Sequence, residues 1–427
     1  MEVQCSTTAS TIFTRTYKFM TRDEILQEVS AIPNTNKLLM LSTGVGKTKI
    51  AIELTNQIKP SGKILVVIPR LVLIQNWKDE FIKWGYEKYL PQVEFITYVS
   101  LPKKAGSQYD MVIYDEVHHL SDRCQSAIPY IKSKYNILLS ATIKRTLKPN
   151  LDKLFPNLYT YKISLQQAVE NDILPEPRII LIPLELETVK NTEIYQLKPK
   201  AKTRRTITYQ QWLKGKWSYL KNKTISYGVD VICTQKQKNT EFNDYIDNCT
   251  KRLRSGALTG MSRVYTEQAR KQTGLKRLQW LAEIKSDFVK QLLKQLKNYR
   301  TLTFCYSIDQ TERLGKYCIN SKNAESAKYL DSFNNKKIKH ITSVNMLNEG
   351  VNLTDCKCGI FAVYNTSLVM RVQKVGRLLR HKTPVIYLPY YKNTKEESIV
   401  IDMVEGYDKS LITIVSNPFN FNAYINR

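Results

Sequence analysis

Residues Lys37 to Ala51, KLLMLSTGVGKTKIA, restrict the possible folds of this 427-residue chain more than any other stretch. The apolar run Leu38 to Leu41 is short and bounded, as a strand buried in a parallel sheet requires, and a helix-periodic segment begins at Lys47. Between them, Gly44 and Gly46 permit a backbone whose successive N–H groups turn into one hollow, and the following helix presents its positive dipole end to the same space. Thr43, Gly44, Val45, Gly46, Lys47 and Thr48 therefore form a candidate polyphosphate cradle. Lys47 would reach the β and γ phosphates, and the Thr48 hydroxyl would ligate Mg²⁺. Leu41 stands where the general pattern has its first Gly, and an ordinary glycine turn is the competing reading.

The chain is long enough for two or three domains, each with its own core, and 42% hydrophobic residues excludes disorder as its class. No apolar run reaches the roughly 18 residues that cross a bilayer, and MEVQCSTTAS lacks a hydrophobic signal core, so an intracellular, cytoplasmic protein without a membrane partner is expected. Eight scattered cysteines show no zinc spacing; Cys356 and Cys358 are one residue apart. A formal charge of +27 and a pI near 9.6 point to a polyanionic partner, nucleic acid first among them.

Strand-like and helix-like segments alternate through the first 180 residues. DEILQEVSAI reads as a helix that Asp23 could cap, KILVVIPR and VEFITY as strands, and LVLIQNWKDEFIKW as an amphipathic helix. DMVIYD is a further strand that delivers acids to its carboxyl end, where ligands bind in open parallel sheets. Behind a phosphate loop, Asp115 would hold Mg²⁺ partly through its water shell, and Glu116 would orient and deprotonate an attacking water. The next apolar strand, Asn136 to Leu139, ends in Ser140-Ala141-Thr142, and Ser140 and Thr142 could relay nucleotide state together with His118.

Together these residues resemble the superfamily 2 helicases and translocases. Residues 38–48 resemble motif I, with Leu41 in the relaxed helicase form, Asp115-Glu116-Val117-His118 the DExH motif II, and 140–142 motif III. Pro69-Arg70 and Thr97-Tyr98 resemble the motifs that contact the nucleic-acid backbone. In the second half, TLTFCYS at 301–307 resembles motif IV, and HITSVNMLNEGVNL resembles motif V, which assigns Gly350 and Asn352 to the nucleotide; Asn352 replaces the commoner Asp. QKVGRLLR resembles motif VI and implies that Gln373, Arg377 and Arg380 are catalytic, the two arginines as fingers on the γ phosphate. Spaced three apart, those arginines would share a helix face. Lys374 departs from the commoner Arg.

Between the halves the composition changes. Residues 201–300 hold 22 Lys and Arg against seven Asp and Glu, a net +15 and more than half of the whole excess. Arg204, Arg205, Trp212, Lys214 and Lys216 are candidate nucleic-acid contacts, because cations neutralise phosphates while rings stack on bases. The same rings could instead form a small core beneath solvated lysines. Pro175 and Pro177 mark the exit from the first lobe.

The expected fold is α/β: two tandem RecA-like parallel-sheet lobes, at 1–180 and 296–427, with a basic, mainly helical insertion at 181–295. The resemblance implies an ATP- and Mg²⁺-dependent motor on nucleic acid, with DNA preferred over RNA. Replication, repair or recombination proteins would be its partners. RNA unwinding, translocation without strand separation, and a nucleotide-gated nucleic-acid-binding scaffold are the alternatives. High Lys, Asn, Ile and Tyr content would fit an AT-rich phage genome, which would place the chain in a host cytoplasm.

Overall fold

The computed structural model describes residues 21–33, 35–144, 146–221, 227–344, 353–364, 374–405 and 407–415, with backbone alone for residues 217 and 219–221. It divides into two compact units, Met1–Leu174 and Pro175–Arg427.

The first unit runs α1 (Arg22–Ala31), β1 (Asn36–Leu41), α2 (Lys47–Ile58), β2 (Ile64–Ile68), α3 (Leu73–Lys83), β3 (Val93–Thr97), β4 (Gln108–Tyr114), α4 (Asp122–Gln125), β5 (Lys132–Ser140), α5 (Lys148–Leu154), β6 (Tyr159–Ile163) and α6 (Leu165–Glu170). The cap of α1 is Thr21 rather than Asp23. Its hydroxyl accepts from the Glu24 N–H while the Glu24 carboxylate accepts from the Thr21 N–H, a reciprocal capping box. Six parallel strands form one sheet in the order β3-β2-β4-β5-β1-β6. β2 is buried at all five positions, which is why its sequence is the unbroken ILVVI. Pairing of Met40 with Ser140, and of Tyr114 with Leu138, sets the carboxyl ends of β1, β4 and β5 side by side.

The second unit runs β7 (Arg178–Leu184), β8 (Glu193–Leu197), β9 (Arg204–Thr208), α7 (Tyr209–Lys221), β10 (Gly228–Cys233), α8 (Gln235–Arg254), α9 (Gly260–Ile284), α10 (Ser286–Gln295), β11 (Thr301–Phe304), α11 (Ile308–Leu314), β12 (Cys318–Ile319), α12 (Ser326–Asn334), β13 (His340–Ser343), β14 (Cys358–Phe361), β15 (Val385–Tyr391), α13 (Lys395–Val404) and β16 (Ile412–Ile414). Its seven-stranded parallel sheet has the order β12-β13-β11-β14-β15-β7-β16. β7 is the first strand of the unit in sequence yet lies between β15 and β16, so the chain has joined the second sheet by Arg178, ahead of the expected boundary at 180. Val289, Leu292, Leu293 and Leu296, on or just after α10, pack in one core with Ile360 and Tyr387. A Cβ on Gly359 of β14 would collide with the Leu378 side chain, so that glycine lets helical residues 374–378 lie close over the strand.

The basic segment is helical for most of its length, but it also contains a three-stranded sheet, β8-β10-β9, with β8 antiparallel and β9 parallel to β10. Ile207, Trp212, Val229 and Val231 form a separate small core there.

Candidate functional site

The phosphate loop is the connection from β1 to α2. Gly44 and Gly46 take φ of 95° and 107°, left-handed backbone that a side chain would resist. Val45 N donates to Ser42 O at 3.3 Å and closes the turn. Arg22 on α1 donates to Gly44 O (3.3 Å) and to Ile173 O (3.1 Å), bracing the loop from outside. The Thr43 hydroxyl is buried with no hydrogen-bond partner among the described residues. An orphan of that kind costs about 1–3 kcal/mol unless a ligand meets it. Two glycines free to turn their amides inward, that orphan hydroxyl and Lys47 together fit a polyphosphate.

The acids follow β4. Asp115 N donates to Val67 O (2.8 Å), Tyr98 OH donates to Asp115 O (2.8 Å), and Trp77 Nε1 donates to Asp115 Oδ2 (3.0 Å). Burial pushes the Asp115 carboxyl up to about 6, with the adjacent Glu116 charge adding to the rise and Trp77 and Lys47 opposing it. Such a carboxylate gains from a nearby cation, which fits Mg²⁺ held by Asp115 with the half-buried Thr48 on the first turn of α2. Glu116 sits at φ 50°, ψ 56°, a left-handed conformation unusual for Glu.

From Glu116 a polar chain crosses the sheet end. Lys47 Nζ lies 3.2 Å from Glu116 Oε1 and 3.4 Å from Leu41 O. His118 Nδ1 lies 3.3 Å from Glu116 Oε2 and 3.1 Å from Ser140 Oγ, and Ser140 Oγ donates to Thr142 O at 2.8 Å. Lys47, Glu116, His118, Ser140 and Thr142, picked from three separate loops, are thus in one network. Trp77, which orients Asp115, carried no signal in the sequence beyond a large ring on the apolar face of a helix.

The nucleic-acid candidates divide. Arg70, Arg205 and Lys214 are exposed, and Pro69 and Thr97 are half-buried. Tyr98 is buried and its hydroxyl is committed to the Asp115 carbonyl, so it buttresses the acid loop rather than facing a ligand. Arg204 grips Asp230 with Nε and a terminal nitrogen, both at 2.7 Å. Lys216 lies 2.9 Å from Glu241 and 3.2 Å from Asp244. Trp212 is 1% exposed, which corrects its assignment as a stacking platform: a small core needed the ring.

Gly350, Asn352 and Gln373 lie outside the described residues. Arg377 is buried on the helical stretch 374–378, whereas Arg380 is exposed in the turn that follows, so the two do not share a continuous helix face. Lys374 is buried, with Nζ 5.1 Å from the Phe304 ring centroid, and burial lowers its ammonium to about 8.

Residues 12–104 match the family described as "Type III restriction enzyme, res subunit", and residues 284–382 match "Helicase conserved C-terminal domain". Together these matches support a superfamily 2 helicase or type III restriction-like motor. Members of these families hydrolyse ATP. Over 389 residues the chain is 24% identical to DNA 3′-5′ translocase XPB2 of Sulfurisphaera tokodaii, covering 86% of this chain and 80% of that protein. Among solved structures, S. cerevisiae Dbp5 bound to RNA and ADP BeF3 shares the fold with a TM-score of 0.56 at 11% identity, over 92% of this chain and 88% of that one. The ATP-dependent Type ISP restriction-modification enzyme LlaBIII bound to DNA does so at 0.51 and 13%, over 92% of this chain and 31% of that one. Most of the basic segment falls between the two family matches.

Proposed function

We propose that this chain is a superfamily 2 ATPase that moves along DNA, and that its phosphate loop, Asp115 and Glu116 perform the hydrolysis. The observation that carries this is the Lys47–Glu116–His118 network, which couples the phosphate loop to a carboxylate suited to activating water. Lys47 and Thr43 to Thr48 bind the triphosphate, and the motif resemblance assigns Gly350 and Asn352 to the nucleotide as well. Glu116 orients the attacking water and accepts its proton. The motif resemblance assigns Arg377 and Arg380 positive charge complementary to the transferring phosphoryl group, and Gln373 a neutral amide that hydrogen-bonds it. Asp115 and Thr48 would hold Mg²⁺, which supplies charge neutralisation at the phosphates. His118, Ser140 and Thr142 carry the state of the nucleotide toward the nucleic-acid contacts.

DNA is preferred because the relative aligned over most of its length is a DNA translocase, and a pI near 9.6 suits any polyanion. The RNA-bound neighbour shares only the fold and does not choose the polymer. Among the described residues no helix is long and apolar enough to cross a membrane, and DNA as the track supports an intracellular setting with replication, repair or recombination proteins as partners.

The test is ATP hydrolysis measured with single-stranded DNA, duplex DNA and RNA, followed by strand displacement from 3′ and 5′ overhangs. Stimulation by DNA above RNA is expected, and Lys47→Ala should abolish turnover. Absence of stimulation by any polymer overturns the motor reading.

A further inference from the structure

α8 and α9 leave the second unit as an antiparallel hairpin: the Phe242 and Trp280 rings lie 5.8 Å apart, and Arg277 donates to Asn243. The base of the hairpin is fixed firmly. Trp280 Nε1 and Lys238 Nζ both donate to Glu193 Oε2 at 2.8 Å, and Phe242, Trp280 and Leu281 share a cluster with Tyr391 of β15. Toward the other end burial stops. Between Cys249 on α8 and Thr266 on α9 no residue is buried.

That free end has an unusual composition for a solvated turn. Residues 251–265 contain Lys251, Arg252, Arg254 and Arg263 and no Asp or Glu. All four cations are exposed, and none lies in an ion pair with a carboxylate among the described residues. Beside them Met261, Val264 and Tyr265 are 62%, 54% and 62% exposed. Uncompensated cations want a polyanion, and exposed aromatic and apolar side chains among them suit base faces rather than phosphates alone. Apolar side chains of this kind also part stacked bases when a rigid element presses them in. The hairpin is such an element, roughly 30 Å long from the rise of a 20-residue helix and anchored at one end only.

We propose that the free end of the α8–α9 hairpin engages a nucleic-acid duplex where its strands part, with Arg252, Arg254 and Arg263 on phosphates and Tyr265 and Met261 against the terminal base pair. This rests on the motor reading and adds a second contact, in the stretch that neither family match covers. It also relocates the nucleic-acid role of the basic segment, because Arg204, Trp212 and Lys216 are committed inside the fold.

The full-length Met261→Ala/Tyr265→Ala variant, which touches no buried position, tests it beside the parent. Single-strand-stimulated ATPase should stay within about twofold, while strand displacement from a forked duplex should fall roughly tenfold or more, the loss expected for one stacking contact. 2-Aminopurine at the fork's terminal base pair should brighten when the parent binds and not when the variant does. Arg252→Gln/Arg254→Gln/Arg263→Gln should lower the salt slope for fork binding by about two to three. Unchanged displacement and unchanged 2-aminopurine signal, with stimulation retained, would overturn the hairpin contact and leave the motor standing. A parent without polymer-stimulated ATPase would overturn both.

Discussion

Lys285 and Glu396 form an ion pair with neither side chain exposed, Nζ to Oε1 at 2.6 Å. Lys285 ends α9, and Glu396 stands in the first turn of α13, where its other oxygen accepts the Tyr391 N–H at 3.2 Å. The ammonium also lies 4.7 Å from the Tyr364 ring centroid. Desolvation dominates both partners, lowering the ammonium and raising the carboxyl, so each charge is tolerated only because the other is present. Lys285→Met should therefore cost about 3–5 kcal/mol, the usual penalty for stranding one member of a buried pair. In a unit of this size about 2–4 °C accompanies each kcal/mol, giving a melting-temperature loss of roughly 6–20 °C by scanning calorimetry. Lys285→Met/Glu396→Gln should recover most of it, since Gln still accepts from Tyr391 and no charge is stranded. The single variant should also respond to pH. Its Glu396 titrates above the ordinary 4.5 when folded, so the folded state binds the extra proton and stability falls as pH rises through that raised value. The deficit should be smaller at pH 5 than at pH 8. Additive losses in the double variant, with no pH dependence in the single one, would refute the account.

Trp77→Phe removes the donor that orients Asp115 while keeping a ring on the buried face of α3, so the Mg²⁺ concentration giving half-maximal ATPase should rise roughly tenfold, read from metal titrations of turnover below the variant's melting temperature. Glu116→Gln should bind ATP at least as tightly as the parent by fluorescence titration yet lose turnover by about a hundredfold or more, because Lys47 is released from its anion while the base is gone. Arg204→Ala should lower thermal stability and leave the salt slope of nucleic-acid binding unchanged, because its guanidinium is held by Asp230 and the Lys198 carbonyl. A slope reduced by about one would return Arg204 to the phosphate contacts.

The parallel sheets were legible because their central strands are buried on both faces and so read as unbroken apolar runs, ILVVI and CGIF among them. The sheet made by β8, β9 and β10 was not. EIYQL and RRTIT are five residues long, half in solvent, and rich in charge or hydroxyls, which is the composition of a loop as much as of a strand. Trp212 shows the same ambiguity at one residue: rings interleaved with lysines serve a stacking surface or a small core equally well, and only burial against Ile207 and Val229 separates the two. Trp77 and Tyr98 were hidden for another reason. Their hydrogen bonds to Asp115 cross 38 and 17 residues and depend on the loops after β3 and β4 and helix α3 meeting at one end of the sheet, a tertiary fact without a local pattern.

The Glu116 backbone ties these observations to the chemistry. A left-handed Glu costs on the order of 1–3 kcal/mol, and such strain persists only where surrounding contacts over-determine it. Here Tyr98 holds the carbonyl before it and His119 N donates to its own carbonyl at 3.0 Å, so the conformation is enforced from both sides. The two adjacent acids have different partners, Trp77 for Asp115 and Lys47 and His118 for Glu116. Lys47 Nζ lies 3.2 Å from the Glu116 carboxylate, so a triphosphate that draws Lys47 to its phosphates also takes the lysine from that acid. The strained turn thus places the proposed base within reach of the same lysine that would hold the phosphates.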